Sequence, residues 1–218
     1  MGVREDICAA MVALVETGLN RGASGNISVR DGEHMLITPS GIPPRDIQPS
    51  EVARMALAGD GGWEGPKKPS VEWRFHRDIL RQRADINAVV HTHAPWCTVL
   101  AIARRSIPAV HYMIAAFGGP DIRLAPYATF GTPELSAGIL QAMDGRAGCL
   151  MANHGMVVGG RDLTHALWLA NELEALAHQH YHSLLIGGGH VLSDADLEDT
   201  FKGFATYGTQ SKAEPEGT

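Results

Sequence analysis

A chain of 218 residues is long enough for one sizeable core and short for two. Its 44% apolar and 19% charged content excludes a disordered or fibrous chain. A net charge of −6 argues against binding nucleic acid through its phosphates, which takes a dense basic surface, but leaves room for a local pocket for a small anion.

Residues 3–17 put Ile7, Met11, Leu14 and Val15 on one helical face, with Gly18 as the terminator. A small-residue loop, 21–26, leads to two short strands, Ile27–Arg30 and Met35–Thr38, joined across Asp31-Gly32. Residues 39–44 are irregular by composition, and Gly59–Gly65 reads as a surface turn. Ser70 is the expected N-cap of a helix that buries Phe75, Ile79 and Leu80. A buried strand at Ile86–His91 comes next, followed by helix 95–104, strand 109–113, helix 132–143, strand 148–153 and a long helix near 162–186. A last helix after Ser193-Asp194 carries Leu197, Phe201 and Phe204, and residues 209–218 read as a polar tail. Strands and helices alternate without repeats, which predicts one α/β domain over 1–208, a single three-layer unit.

Cys8, Cys97 and Cys149 are far apart, form no CxxC pair and sit in apolar stretches, so they read as reduced core thiols. The opening residues carry acids at once and no apolar signal segment, and no apolar run approaches the ~20 residues that span a bilayer. The expectation is a cytoplasmic protein with neither a membrane nor a nucleic acid as partner.

His91-Thr92-His93 is the sharpest local signal. Residues two apart on a strand point the same way, so both imidazoles can reach one point. Imidazole is the usual ligand of zinc and similar ions, and catalytic sites use three protein ligands with one open position. His154 supplies a third candidate, at the end of a buried strand and followed by Gly155, which permits close backbone approach or positive φ. Glu72 opens a helix, where the dipole favours any acid, so it reads either as a plain first-turn acid or as a general base. Gly22–Asn26 and Thr38–Gly41 combine small residues, backbone N–H groups and short donors, as anion-cradling loops do, and Ser70 can join them. His178, His180 and His182 resemble a metal cluster, but 180 points away from the other two on a helix, so they read as a solvated face. His111-Tyr112, a polar pair on an apolar stretch, stays open.

Taken together, these segments resemble the class II aldolase/adducin family, especially its fuculose-phosphate aldolase branch, over about residues 3–208. The resemblance is carried by 25–30, 35–43, Glu72-Trp73-Arg74-Phe75-His76, 88–93, 106–116, 125–132, Asn153-His154-Gly155 and 206–208. It implies a central, largely antiparallel sheet flanked by helices, and a homotetramer with active sites between neighbouring subunits. It implies one divalent ion per subunit on His91, His93 and His154, by expectation zinc, with manganese, cobalt or iron as substitutes. Glu72 would match the catalytic carboxylate, and Gly25, Asn26, Ser40, Gly41 and Ser70 the phosphate contacts. Tyr112 and Tyr207 look like tyrosines that reach a neighbour's site, with Phe130 and Phe204 lining the aldehyde end. Val71 departs from the pattern where the fuculose-type enzyme has a second serine, which removes a hydroxyl beside the phosphate. Asn153 stands where that enzyme has a histidine.

The chemistry so implied is a retro-aldol cleavage, in which a cation stabilises the negative charge left on the three-carbon fragment. Glu72 would exchange the proton at that fragment, and Tyr112 the one at the aldehyde oxygen. Lys67 and Lys68 lie in a Gly/Pro-rich loop, a poor place for the desolvated amine of imine chemistry. The substrate would be a ketose 1-phosphate of the fuculose, 5-deoxyribulose or 5-methylthioribulose type. Rival activities on the same fold are 4-epimerisation of a ribulose phosphate, decarboxylation and dehydration. A non-catalytic scaffold of the adducin kind is the rival of another class.

Overall fold

A computed structural model describes residues 2–204. The proposed boundary at 208, the tail at 209–218 and Tyr207 lie outside the described residues. Helix α1 (Val3–Glu16) buries Ile7, Met11 and Leu14 and ends at Gly18, whose φ of 77° is the left-handed terminator expected there. Strands β1 (Asn26–Asp31) and β2 (His34–Ile37) form a hairpin whose Gly32 has φ 58°. Strand β3 (Ala53–Ala56) pairs with β2, and the short β4 (Trp63–Glu64) with β3. Helix α2 (Trp73–Gln82) leads to β5 (Ala88–Thr92), α3 (Pro95–Ile102) and β6 (Ile107–Pro108). Then come a 3₁₀ turn (Tyr112–Phe117), β7 (Asp121–Ile122), β8 (Leu124–Ala125) and α4 (Pro133–Ala142). The hairpin β9 (Gly148–Met151) and β10 (Gly155–Gly160) precedes α5 (Leu163–Leu185) and α6 (Asp194–Phe204).

Eight strands form one sheet in the order β4-β3-β2-β1-β5-β10-β9-β8, antiparallel except at the β8–β9 edge. Because side chains alternate along a strand, the sheet has two apolar faces and two separate cores. Ala88 and Val90 of β5 face one way, packing with α1, α3 and α5 through Leu14, Leu100 and Leu173. Val89 faces the other, with Phe75 and Ile79 of α2 and Ile139 of α4. These are the three layers predicted. Glu174 of α5 fastens α3 by accepting from the backbone N–H of Trp96 (2.8 Å) and Cys97 (2.9 Å), two of its orphan donors.

Four expectations change. The stretch 53–56 is a strand, and Gly59–Gly65 contains a second, so the sheet extends further than its hydrophobic pattern indicated. Residues 109–113 are not a strand: His111 Nδ1 accepts from Met113 N (3.3 Å) and caps a 3₁₀ turn that Tyr112 opens. Ser70 lies outside the helix it was expected to cap, because Glu72 occupies that position and donates its own N–H to Ser70 Oγ (3.3 Å). The strand near 148–153 turns at Asn153-His154 and returns as β10, leaving His154 in a tight hairpin. His178 and His182 do share an exposed face, but their rings pack against Trp96, while His180 is buried. Cys97 and Cys149 are buried free thiols, and Cys8 is half-buried.

Between α2 and α4 lies a buried ionic joint. Arg77 donates to Asp78 Oδ1 through Nε (3.0 Å) and Nη2 (2.8 Å), and Ser136 Oγ donates to Asp78 Oδ2 (2.7 Å). Removing the hydroxyl strands a buried carboxylate oxygen, so Ser136→Ala should cost about 1–3 kcal/mol, read as a lower urea midpoint. An unchanged midpoint would contradict this role for the joint.

Candidate metal centre and anion cavity

The register of β1 on β5 sets Asn26 opposite His91, and His93 follows two residues on. The β9–β10 turn brings His154 to the same point, because Asn153 takes φ 55°, a left-handed conformation that asparagine tolerates better than most residues. Gly155 has no room for a side chain, since a Cβ there would collide with the Thr92 carbonyl and press His93. Gly155→Ala should therefore push the turn outward, costing about 1–3 kcal/mol. A variant that kept both wild-type stability and metal content would contradict this.

The three rings form a nearly equilateral triangle. Their centroids are 5.1 Å (His91–His93), 4.9 Å (His91–His154) and 4.9 Å (His93–His154) apart, with planes 72–76° from one another. One nitrogen from each lies within 4.8 Å of the others, and no other such group of three occurs among the described residues. His91 Nδ1 is 2.8 Å from the Met156 carbonyl, which makes it the protonated nitrogen. Its Nε2 is then a bare lone pair, 3.3 Å from Glu72 Oε2, and His154 Nε2 is 3.3 Å from Glu72 Oε1. His91 Nε2 and Glu72 Oε1 are buried without a hydrogen-bond partner. Acceptors facing acceptors in a dry site call for a cation between them. The residues present therefore fit a divalent ion.

All three imidazoles are held neutral. Burial, then His93, pushes His91 from 6.5 down to about 3; burial, then His91, pushes His154 to about 4. Burial lowers His93 as well, with Glu72 pulling the other way. The unfolded chain thus takes up protons below about 6.5 while the folded one resists. Stability of the metal-free protein is present above pH 6.5 and falls as the pH drops toward 4. Its urea midpoint should be lower at pH 5.5 than at 7.5, and an equal midpoint would contradict the neutral triad.

Beside the triangle opens a cavity of about 220 Å³. Gly25, Asn26, Ser40, Gly41, Ser70, Glu72 and Phe130 line it, so seven sequence-predicted residues meet His93 and His154 there. Gly25 is required by its shape: φ is 85°, and a Cβ would lie 2.9 Å from the His91 carbonyl. Asn20 braces this loop through hydrogen bonds with Ser24. Ser70 Oγ accepts from Glu72 N, which leaves its hydroxyl proton to donate into the cavity. Among the described residues, no lysine or arginine side chain lines it. Val71 and Phe130 present apolar surface, being 52% and 62% exposed.

A profile described as Class II Aldolase and Adducin N-terminal domain matches residues 5–181. The chain belongs to the class II aldolase and adducin family. It is 48% identical over 212 residues to a 5-methylthioribulose-1-phosphate/5-deoxyribulose-1-phosphate aldolase of Rhodospirillum rubrum, covering 97% of this chain and 95% of that one. It is 47% identical over 204 residues to the L-fuculose phosphate aldolase of Escherichia coli K12, covering 93% of each. A solved L-fuculose 1-phosphate aldolase superposes with a TM-score of 0.89 at 39% identity, over 93% of this chain and 96% of that one. Class II aldolases use a divalent metal, and the histidine triangle suits one.

Tyr112 and Phe204 do not line the histidine cavity of their own chain. Tyr112 is 51% exposed, and its ring centroid lies 6.5 Å from that of Phe204, which borders a separate cleft with Trp168 and His165. Tyr207 lies outside the described residues. Sequence reasoning gave no role to His76 or Ser28, which are buried behind Asn26. Both stood in segments that carry the resemblance, 25–30 and 72–76, without a role of their own.

Proposed function

We propose that the enzyme reversibly cleaves a ketose 1-phosphate to dihydroxyacetone phosphate and an aldehyde. The reading is carried by one observation: the Nε2 atoms of His91 and His154 both lie 3.3 Å from the Glu72 carboxylate, at the wall of a cavity of neutral donors. Relatives 39–48% identical, named as aldolases of fuculose, 5-deoxyribulose and 5-methylthioribulose phosphates, support it.

His91, His93 and His154 would hold the ion, zinc by preference, since three neutral imidazoles leave its positive charge undiluted. When bound, it supplies Lewis acidity that stabilises negative charge developing on the substrate's carbonyl oxygen. Asn26, Ser40, Gly41 and Ser70 bind the phosphate end and so orient the bond that breaks. Glu72 exchanges the proton at the carbon of the three-carbon fragment. Phe130 lines the aldehyde end.

Tyr112 exchanges the proton at the aldehyde oxygen, acting in a neighbouring subunit. Its exposure away from its own cavity supports a homotetramer whose sites lie between subunits. Tyr207 would join it there, and Phe204 would line the aldehyde end with Phe130. Among the described residues no helix is long and apolar enough to cross a membrane, and the cytoplasm is the proposed location.

A panel of ketose 1-phosphates, coupled to detection of dihydroxyacetone phosphate, tests the reading. Release from at least one member is expected. Inactivity on all of them together with turnover of ribulose 5-phosphate would overturn it in favour of epimerisation.

A further inference from the structure

Behind Glu72 runs a string of buried side chains, two of which, His76 and Ser28, the chemistry above leaves unused. Asn26 Nδ2 donates to Glu72 Oε2 (3.0 Å). Asn26 Oδ1 is 2.5 Å from His76 Nε2, and His76 Nδ1 is 2.8 Å from Ser28 Oγ. Asn26, Ser28 and His76 are all buried, and His76 is held in place by stacking on Phe75, with centroids 4.6 Å apart.

The proton positions follow by elimination. A carboxylate only accepts, so the amide nitrogen of Asn26 must face Glu72. Its oxygen then faces His76 Nε2, which must carry a proton. Burial pushes the His76 pKa well below its ordinary value, so the ring is neutral and Nδ1 is an acceptor. Ser28 Oγ then donates to Nδ1. Reversing any one member sets two donors or two acceptors against each other in a dry interior, which the string cannot absorb.

We propose that His76, with its proton on Nε2 and Ser28 Oγ–H donating to its Nδ1, is the positioning residue that holds Asn26 with its amide N–H on Glu72. His76 is not itself among the residues that line the cavity. Its effect reaches the reaction through Asn26, which borders the cavity and also holds one carboxylate oxygen. The remaining oxygen, Oε1, is thereby left toward His154. A carboxylate held at one oxygen has one productive orientation rather than several, which is what a group moving a proton at a fixed carbon requires.

The proposal rests on the proton-exchange role of Glu72, so its test needs readouts that survive failure of that role. ¹⁵N NMR of the zinc-loaded protein is expected to find the His76 proton on Nε2; a proton on Nδ1 overturns the proposal whatever the enzyme catalyses. In steady-state kinetics, His76→Leu should lower kcat about 10–100-fold at unchanged metal content, as loss of an outer partner does. Its KM should rise much less, because Ser40, Gly41 and Ser70 still hold the phosphate end. His76→Gln sets an amide N–H near the place of Nε2–H and should restore kcat to within about fivefold of wild type, by keeping a charge-neutral donor to Asn26. In an Asn26→Ala background, His76→Leu should cost nothing further, because residues acting through one another are not additive. An unchanged kcat in His76→Leu, fold-changes that multiply, or a folded His76→Gln as impaired as the leucine variant would each overturn it. If the leucine variant does not fold, the glutamine variant and the tautomer decide alone.

Discussion

Glu72→Gln is expected to lower turnover by at least about 10²–10⁴-fold, the range of a lost general acid–base group, while the protein keeps its metal. The amide has the same shape and can still present an oxygen to Asn26 Nδ2, so the buried string behind it survives. What it lacks is the capacity to take and return a proton. The carboxylate lies 3.3 Å from both His91 Nε2 and His154 Nε2, near enough for direct metal ligation in the absence of substrate. Metal content measured beside kcat therefore separates the two roles. A variant that loses both the ion and activity would make Glu72 a structural ligand, and one that retains near-normal turnover would remove it from the chemistry.

His154→Ala should abolish both metal binding and turnover while the chain still folds. His154 sits on a hairpin turn, partly buried, and the sheet registers on either side are set by backbone pairing that does not involve its ring. The two remaining imidazoles cannot complete a three-ligand site. The clearest reading is thermal. In wild type, metal at about a hundredfold over its Kd stabilises the folded state by about 2.7 kcal/mol, or roughly 5–10 °C in a domain of this size. That shift should vanish in His154→Ala. A variant that still binds one ion per chain and shows the shift would require a different set of ligands.

Much of this was readable from residue order, for physical reasons. A buried strand such as 88–92 announces itself by the compact apolar run Ala88-Val89-Val90, and the phase of His91 and His93 follows from the two-residue repeat alone. The helices carry their own stop signals, as at Gly18. The strands 53–56 and 63–64, the last two at one end of the sheet, were less legible. Each is short, only one is largely buried, and glycines around the second suggest a turn before they suggest pairing. The return strand 155–160 was hidden because Asn153, not a glycine, takes the left-handed turn position. Residues 109–113 have a strand's apolar content, but His111 caps the backbone locally and a 3₁₀ turn results.

The site divides along the same line. Its ligands and small-residue loops stand out as unusual residue types in particular places. The hydrogen-bond string through His76 does not, since a histidine in the first turn of α2 looks like any other polar residue until its partners from β1 are seen. Ser70 shows the converse: it lines the cavity, while the helix N-cap position expected for it belongs to Glu72.

The central claim is that an ion on His91, His93 and His154 enables cleavage of a carbon–carbon bond in a ketose phosphate. The most direct measurement is release of dihydroxyacetone phosphate from L-fuculose 1-phosphate or a 5-deoxyribulose 1-phosphate by protein stripped with a chelator and then titrated with zinc. No release is expected from the stripped protein, with recovery rising linearly to a plateau at one equivalent per chain. Release that persists undiminished in fully stripped protein would contradict the account.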